Sequence, residues 1–328
     1  MDIAELGERG LIARLGRFFG HAPHLLVPGG DDAAVIAPGS GALVATTDLL
    51  FEDVHFSDRT TGPFDVGWRS AAANLSDLAA MGAAPSGMLV GLGLSPGTSV
   101  EWVEAFYEGF TACSAPVGAL LLGGDTCRAK SRTVAVTALG TVDPHRILRR
   151  NAARPGDALV VTGHLGASRA GLAVLLEAER YAHLGKPVRE AVVAAHRRPK
   201  PRLEVPPLVF ALSGRAAAMD TSDGLTDAIA QVCAQSGCGA VVDLAALPID
   251  VATLQVAGEQ ATAWALGGGE DYELLIALEP DAAVQLVERL AAIAIGGAIV
   301  GQAVAGDQVV DTEDRPLEAP GFEHFNRP

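Results

Sequence analysis

Ser70-Ala71-Ala72-Ala73-Asn74-Leu75-Ser76-Asp77-Leu78-Ala79-Ala80-Met81-Gly82 is the stretch around which the fold is read. Its alanines and leucines favour a helix, and Gly82 followed by Pro85 marks the stop. At helical spacing Ser70, Asn74 and Asp77 share one face, while Ala71, Leu75, Leu78 and Gly82 share the other. A solvated helix face carries Lys, Glu or Arg, and here only Arg69 lies nearby, so the helix is predicted to be buried nearly all round. Asp77 then becomes a carboxylate in a dry place, which is costly unless a cation or several donors meet it. A hydrogen bond to a neighbouring loop is the plainer alternative.

The 328 residues suffice for two domains, each with its own core. Apolar residues make up 49% and aromatics 5%, which points to an interior of alanine, valine and leucine. No apolar run is long enough to span a bilayer, since Ala211–Met219 contains Arg215 and Ala291–Val300 is broken by Gly296 and Gly297. The first residues show no secretory leader pattern, so the expected location is cytoplasmic. A net charge of −15 disfavours nucleic acid or an anionic membrane as partner. A phosphate ligand would need local neutralisation by metal ions or a few arginines. The four cysteines lack metal-ligand spacing and read as free thiols of a reducing compartment.

The polar stretch Arg149–Asp157 carries a Pro-Gly turn, so the division is predicted near residue 146, giving domains 1–146 and 147–328. In the first, residues 1–20 have the pattern of one amphipathic helix. Ala33–Ala37 and Ala42–Thr47 read as a hairpin-like strand pair. Further strands are expected at Ser86–Leu94, Ala119–Gly123 and Thr133–Val142, with a helix at Ser99–Cys113; together these form an α+β unit with a four-stranded sheet. In the second, strands are expected at 158–162, 216–220, 240–244, 274–278, 298–302 and 308–311, with helices at 169–178, 226–236 and 282–293. Residues 179–206, basic and proline-rich, read as a long exposed segment.

Four stretches place aspartate after small residues at the end of an apolar run: Asp31-Asp32, Thr46-Thr47-Asp48, Gly124-Asp125 and Asp220-Thr221-Ser222-Asp223. Each alone could be a turn or a helix cap. If they converge on Asp77, like charges about 4 Å apart repel by about 4 kcal/mol at an effective dielectric of 20. No Lys or Arg lies inside these loops, so divalent cations are the natural compensation, and all-oxygen donors suit Mg²⁺. P-loop, dinucleotide-binding and protein-kinase signatures are absent. Arg150, at the domain boundary, is placed to meet an anion.

Taken in order, Gly30-Asp31-Asp32, Thr46-Thr47-Asp48 with His55-Phe56, Asn74–Gly82, Gly123-Gly124-Asp125-Thr126, Ser222-Asp223-Gly224-Leu225, Gly268-Gly269-Glu270-Asp271-Tyr272-Glu273-Leu274 and Gly321-Phe322-Glu323-His324-Phe325 resemble the thiamine-monophosphate kinase family. That family lies in the superfamily typified by aminoimidazole ribonucleotide synthetase. The resemblance implies a first domain that binds ATP and metal and dimerises, and a second α/β domain with a mixed sheet. It implies ATP-dependent, Mg²⁺-dependent phosphorylation of thiamine monophosphate to thiamine diphosphate by direct transfer, without a protein nucleophile. It implies Asp32, Thr46, Thr47, Asp48, Asp77, Asp125, Asp220 and Asp223 as ligands of several Mg²⁺ ions. Tyr107, Gly124, Asp125, Arg150 and Ser222 would meet ATP, and His55 and Glu270 the thiamine phosphate. Phe322 would stack on thiamine, although some relatives carry a tryptophan where this chain has Ala319. The family pattern also implies a homodimer. The alternatives are another ATP-dependent synthetase of the superfamily, of the aminoimidazole ribonucleotide or selenophosphate type, and a non-catalytic cation-binding protein.

Overall fold

A computed structural model describes residues 1–27, 33–37 and 39–317. Contacts divide the chain into two units, Met1–Leu78 with Ala83–Pro144, and Ala79–Gly82 with His145 onward.

In the first unit the predicted single N-terminal helix is broken into α1 (Ile3–Leu6) and α2 (Glu8–Leu15). The break falls at Gly7, whose φ of +76° lies in the left-handed region. Strand β1 (Leu25–Val27) pairs with β2 (Val35–Ile36), so the expected hairpin of 33–37 with 42–47 does not form. Instead β3 (Ala42–Phe51) pairs along all ten residues with Thr133–Val142, a far longer ladder than a two-residue strand offers. Helix α3 (Pro63–Ala80), β4 (Ala84–Leu94), α4 (Val100–Ser114), β5 (Leu120–Arg128) and β6 (Thr133–Val142) complete the unit. The four-stranded sheet has the order β3-β6-β4-β5. The parallel pair β4 and β5 is joined through α4, as a parallel pair requires a crossover.

Side chains alternate across this sheet. Val134, Val136 and Ala138 of β6 and Val90 and Leu92 of β4 are buried on the inner face. On the outer face Leu43 is 71% exposed and Leu49 52% exposed, with Phe51 and Leu89 also exposed. Helix α3 is buried nearly all round, as its sequence predicts. It packs against α4 at backbone distance: a Cβ on Gly67 would overlap the Phe106 carbonyl oxygen, and one on Gly109 the Phe64 carbonyl oxygen.

The second unit comprises β7 (Ala158–Thr162), α5 (Ala167–Leu176), α6 (Lys186–Arg197), α7 (Val205–Leu212), β8 (Ala217–Asp220), α8 (Leu225–Ser236), β9 (Gly239–Val242), α9 (Val251–Ala257), α10 (Ala261–Gly267), β10 (Leu274–Leu278), α11 (Pro280–Ala292), β11 (Gly297–Val304) and β12 (Val309–Asp311). Its mixed sheet runs β12-β9-β11-β7-β10-β8, antiparallel except for β12 with β9. Leu159 and Val161 enter one core with Ile229 and Met219, while Ala158 and Val160 enter the other with Ile276 and Leu286. A strand covered on both faces has no polar side to show, which is why β7 and β10 read as continuous apolar runs.

Residues 179–206 are not the exposed segment expected. They hold α6, and Tyr181, Val192 and His196 are buried. Arg202 is drawn inward by the buried carboxylate of Glu273. Among the described residues no helix is long and apolar enough to cross a membrane, and the four cysteines are unpaired.

Candidate active site

The partner sought for Asp77 lies on β3. Thr46 Oγ1 donates to Asp77 Oδ2 at 2.5 Å, joining the inner face of the sheet to α3. Thr46 and Asp48 stand on that same face, two residues apart. One turn before Asp77, the buried Asn74 donates its amide to the Ser70 carbonyl, while its Oδ1 finds no hydrogen-bond donor among the described residues. Oxygen donors alone, with an orphaned amide oxygen nearby on α3, are chemistry that suits a hard cation.

Two expectations of loops at strand ends are corrected. Asp48 lies in mid-strand on β3, and Gly124 and Asp125 lie inside β5, because both strands pair beyond the apolar run that predicted them. The register aligns Asp48 with Val136, Val90 and Gly124 in one row across the sheet. Asp48 and Asp125 therefore sit on opposite edges, three strand spacings or about 14 Å apart. Asp125 aligns with Gly91 and Ala135 on the outer face, where Thr47 also lies. The Thr47 hydroxyl donates to the Val136 carbonyl at 2.8 Å, and the exposed Asp125 accepts the Thr126 N–H at 2.9 Å. Among the described residues no group of three acidic, histidine or cysteine side chains is close enough to hold a metal. Asp32 and Phe322 lie outside the described residues.

His55 follows β3 in a loop closed by Glu52 and Arg132. Arg132 donates to Glu52 through its backbone N–H and guanidinium, reaches Asp58 at 2.8 Å and lies 5.0 Å above the Trp102 ring. That hydrogen bonding holds the Glu52 carboxyl below its usual range. His55 Nδ1 accepts the Phe51 N–H at 3.0 Å, so the neutral ring carries its proton on Nε2. Tyr107 is buried in an aromatic cluster, stacked on Phe18 at 5.6 Å and edge-on to Phe106 at 5.2 Å. Burial pushes its phenol above the usual range.

In the second unit Asp220 ends β8, and the loop to α8 holds Ser222 and Asp223. Ser222 Oγ donates to Asp220 Oδ1 at 2.9 Å. Arg150 donates to Gln231 of α8 at 2.5 Å, and Gln231 is held in turn by Asp227. Glu270 N–H donates to the Ser222 carbonyl at 2.7 Å, which ties the two loops together. Glu270 and Tyr272 adopt φ of +58° and +52°. Left-handed backbone at side-chain-bearing residues costs about 1 kcal/mol or more each and persists where surrounding contacts enforce it. Here Asp271 accepts the Gly166 and Ser168 N–H groups at the start of α5, at 2.6 and 2.8 Å. Burial nonetheless pushes the Asp271 carboxyl up to about 7, against those two donors. Glu273 is held by Arg202 and by the Thr162 hydroxyl at 2.6 Å. The sequence reading missed Arg132, Arg202 and His196. Their signal was weak, because a lone basic residue in a polar segment looks like surface until its buried carboxylate is located.

This arrangement of two units, each with acidic residues on a sheet beside glycine loops, defines a class. The chain belongs to the AIR synthase related family, whose N-terminal domain matches residues 30–142 and C-terminal domain residues 154–312. Within it the chain is similar to thiamine-monophosphate kinases. The chain is 42% identical over 332 residues to the thiamine-monophosphate kinase of Synechococcus elongatus, covering 99% of this chain and 98% of that one. It resembles the crystal structure of thiamine-monophosphate kinase from Stenotrophomonas maltophilia at a TM-score of 0.83 and 34% identity, over 92% and 95% of the two chains. It also resembles AaThiL complexed with AMPPCP and TMP, at a TM-score of 0.78 and 30% identity over 99% of both chains.

Proposed function

We propose that this chain transfers the γ-phosphoryl group of ATP directly to the phosphate of thiamine monophosphate, giving thiamine diphosphate, the last step of that cofactor's synthesis. The observation that carries this reading is the 42% identity, across nearly the whole chain, to a thiamine-monophosphate kinase. The AaThiL complex supports the pair of ligands.

Both reactants are polyanions, and the chain itself carries −15, so they can meet only where charge is neutralised. Bound Mg²⁺ supplies that neutralisation and stabilises charge on the transferring phosphoryl group. We assign its ligation to Thr46, Asp48 and Asp77 on the inner face, Thr47 and Asp125 on the outer face, Asp220 and Asp223 in the second unit, and Asp32. ATP is assigned to Tyr107, Gly124, Asp125, Arg150 and Ser222. His55, with Nδ1 already accepting a backbone N–H, presents Nε2–H as a donor to the acceptor phosphate. Glu270 gives a carboxylate to the permanently cationic thiazolium, and Phe322 stacks on a thiamine ring. A phosphate monoester has a second pKa of about 6, so the acceptor is ionised near neutral pH and needs no general base. Catalysis is then positioning in line, with no covalent enzyme intermediate.

The active form is a homodimer. Its support is the open apolar face of the β3-β6-β4-β5 sheet, together with the separation of Asp48 from Asp125 across that sheet. The four free thiols favour the cytoplasm.

Purified protein given ATP and Mg²⁺ is expected to release ADP only when thiamine monophosphate is added, with thiamine diphosphate formed in equal amount. ADP release that responds to another small acceptor instead would place the chain among the synthetases of its family. No release with any acceptor would leave a cation-binding role.

A further inference from the structure

The run Gly269–Glu273 is fixed by several anchors. Glu270 N–H meets the Ser222 carbonyl, Asp271 caps α5, and Glu273 is gripped by Arg202. These anchors act on the main chain and on neighbouring side chains. The Glu270 side chain remains 32% exposed, within reach of a ligand. Facing its carboxylate is the imidazole of His196, in the last turn of α6 and 2% exposed, with Nδ1 3.9 Å from Glu270 Oε2.

The placement of that imidazole is built into the fold. Gly171 of α5 lets α6 approach so closely that a Cβ there would overlap the Val192 carbonyl oxygen and lie 2.8 Å from His196 Cβ. Ser168 Oγ, at the start of α5, then lies 3.0 Å from His196 Nδ1; with the ring proton on Nδ1, that N–H donates to the hydroxyl and turns its positive end towards Glu270. The same Ser168 gives its backbone N–H to Asp271, the residue after Glu270. One serine therefore holds both the imidazole and the loop that carries Glu270.

We infer that His196, oriented by Ser168, is a positioning residue that holds the Glu270 carboxylate where thiamine monophosphate reaches it, so that binding of the acceptor rather than of ATP depends on the imidazole. The inference rests on the assignment of Glu270 to the acceptor. The gap of 3.9 Å is too long for a hydrogen bond and is of the kind that tightens when a ligand draws the carboxylate in.

The test measures KM for both substrates, kcat and Tm in the intact protein carrying His196→Leu, His196→Asn, Ser168→Ala or Glu270→Gln. His196→Leu is expected to raise KM for thiamine monophosphate by about tenfold, the effect of losing one polar contact, and to leave KM for ATP within about twofold. Asparagine can set its amide where Nδ1 lies, so His196→Asn is expected to recover most of the loss. Ser168→Ala should shift the same parameter in the same direction. Unchanged KM for thiamine monophosphate in His196→Leu and Ser168→Ala, with a raised value in Glu270→Gln, overturns the inference and leaves the role of Glu270 standing. An unchanged value in Glu270→Gln removes both. A parallel rise in both KM values with a fall in Tm marks a merely structural histidine and also overturns it. Should His196→Leu fail to fold, Ser168→Ala decides: an unchanged KM for thiamine monophosphate there is fatal to the inference.

Discussion

Thr46 and Asp77 meet through one short hydrogen bond, and Asp48 stands two residues from Thr46 on the same face of β3. A neutral amide at Asp48 or Asp77 keeps shape and hydrogen bonding but removes the charge that a divalent cation needs. Asp48→Asn and Asp77→Asn are therefore each expected to lower turnover by about 100-fold or more, the scale of losing a preorganised charge, with Tm nearly unchanged. Full turnover at limiting Mg²⁺ in either variant would deny the residue a ligand role. Asp271 supports a second expectation, in stability. Burial raises its carboxyl to about 7, whereas an unfolded aspartate titrates near about 4. Between those values the folded protein holds a proton that the unfolded chain has lost, so this residue's contribution to stability falls as pH rises from about 4 to 7. Chemical denaturation across that range should show a downward slope that Asp271→Asn flattens, and an identical slope in the variant would contradict the assignment. At this scale the acidic candidates were legible in the sequence, because Asp beside small residues stands out. It could not show that Asp125 and Asp48 lie on opposite faces and edges, since that follows from register between strands far apart in the chain.

The elements were legible where one local signal governed them. Ser99 caps α4 through the Trp102 N–H, and the apolar runs of β7 and β10 match strands buried on both sides. The failures share a cause: competition from distant partners. β3 outruns its apolar segment because β6 pairs with all of it, and α6 hides inside a basic stretch because Tyr181, Val192 and His196 are buried from it. The α3–α4 crossing depends on Gly67 and Gly109, where any side chain would strike a carbonyl of the facing helix. Alanine at either position is expected to cost about 1–3 kcal/mol or more, read as a lowered denaturation midpoint. The buried pair of Arg202 and Glu273 fixes the loop before β10. Arg202→Met strands a carboxylate in the interior and is expected to cost about 3–5 kcal/mol, whereas a Tm unchanged by the variant would show that the pair carries no structural load.

Over the whole molecule, sheet geometry bears on how the acidic residues assigned to Mg²⁺ would cooperate. The first unit brings Thr46, Asp48 and Asp77 to one edge of its sheet and holds Asp125 on the far edge, on the opposite face. The same outer face exposes Leu43, Leu49, Phe51 and Leu89, more apolar surface than an isolated sheet comfortably shows to water. Covering that face with a second copy satisfies the apolar side chains, and under two-fold symmetry it brings the outer-face Asp125 of each copy to the partner. Substitution of like charge at the face, Leu43→Glu with Leu49→Glu, is expected to yield monomers in sedimentation and to lower activity with them. A sharper experiment mixes two inactive variants, Asp48→Asn and Asp125→Asn, after dissociation. If a site uses Asp48 from one copy and Asp125 from the other, a mixed dimer has one site with both substitutions and one with neither. Random pairing makes half the dimers mixed, so about a quarter of wild-type activity should return on two-fold symmetry. Should each copy carry a complete set of its own, every site retains one defect, and mixing restores nothing.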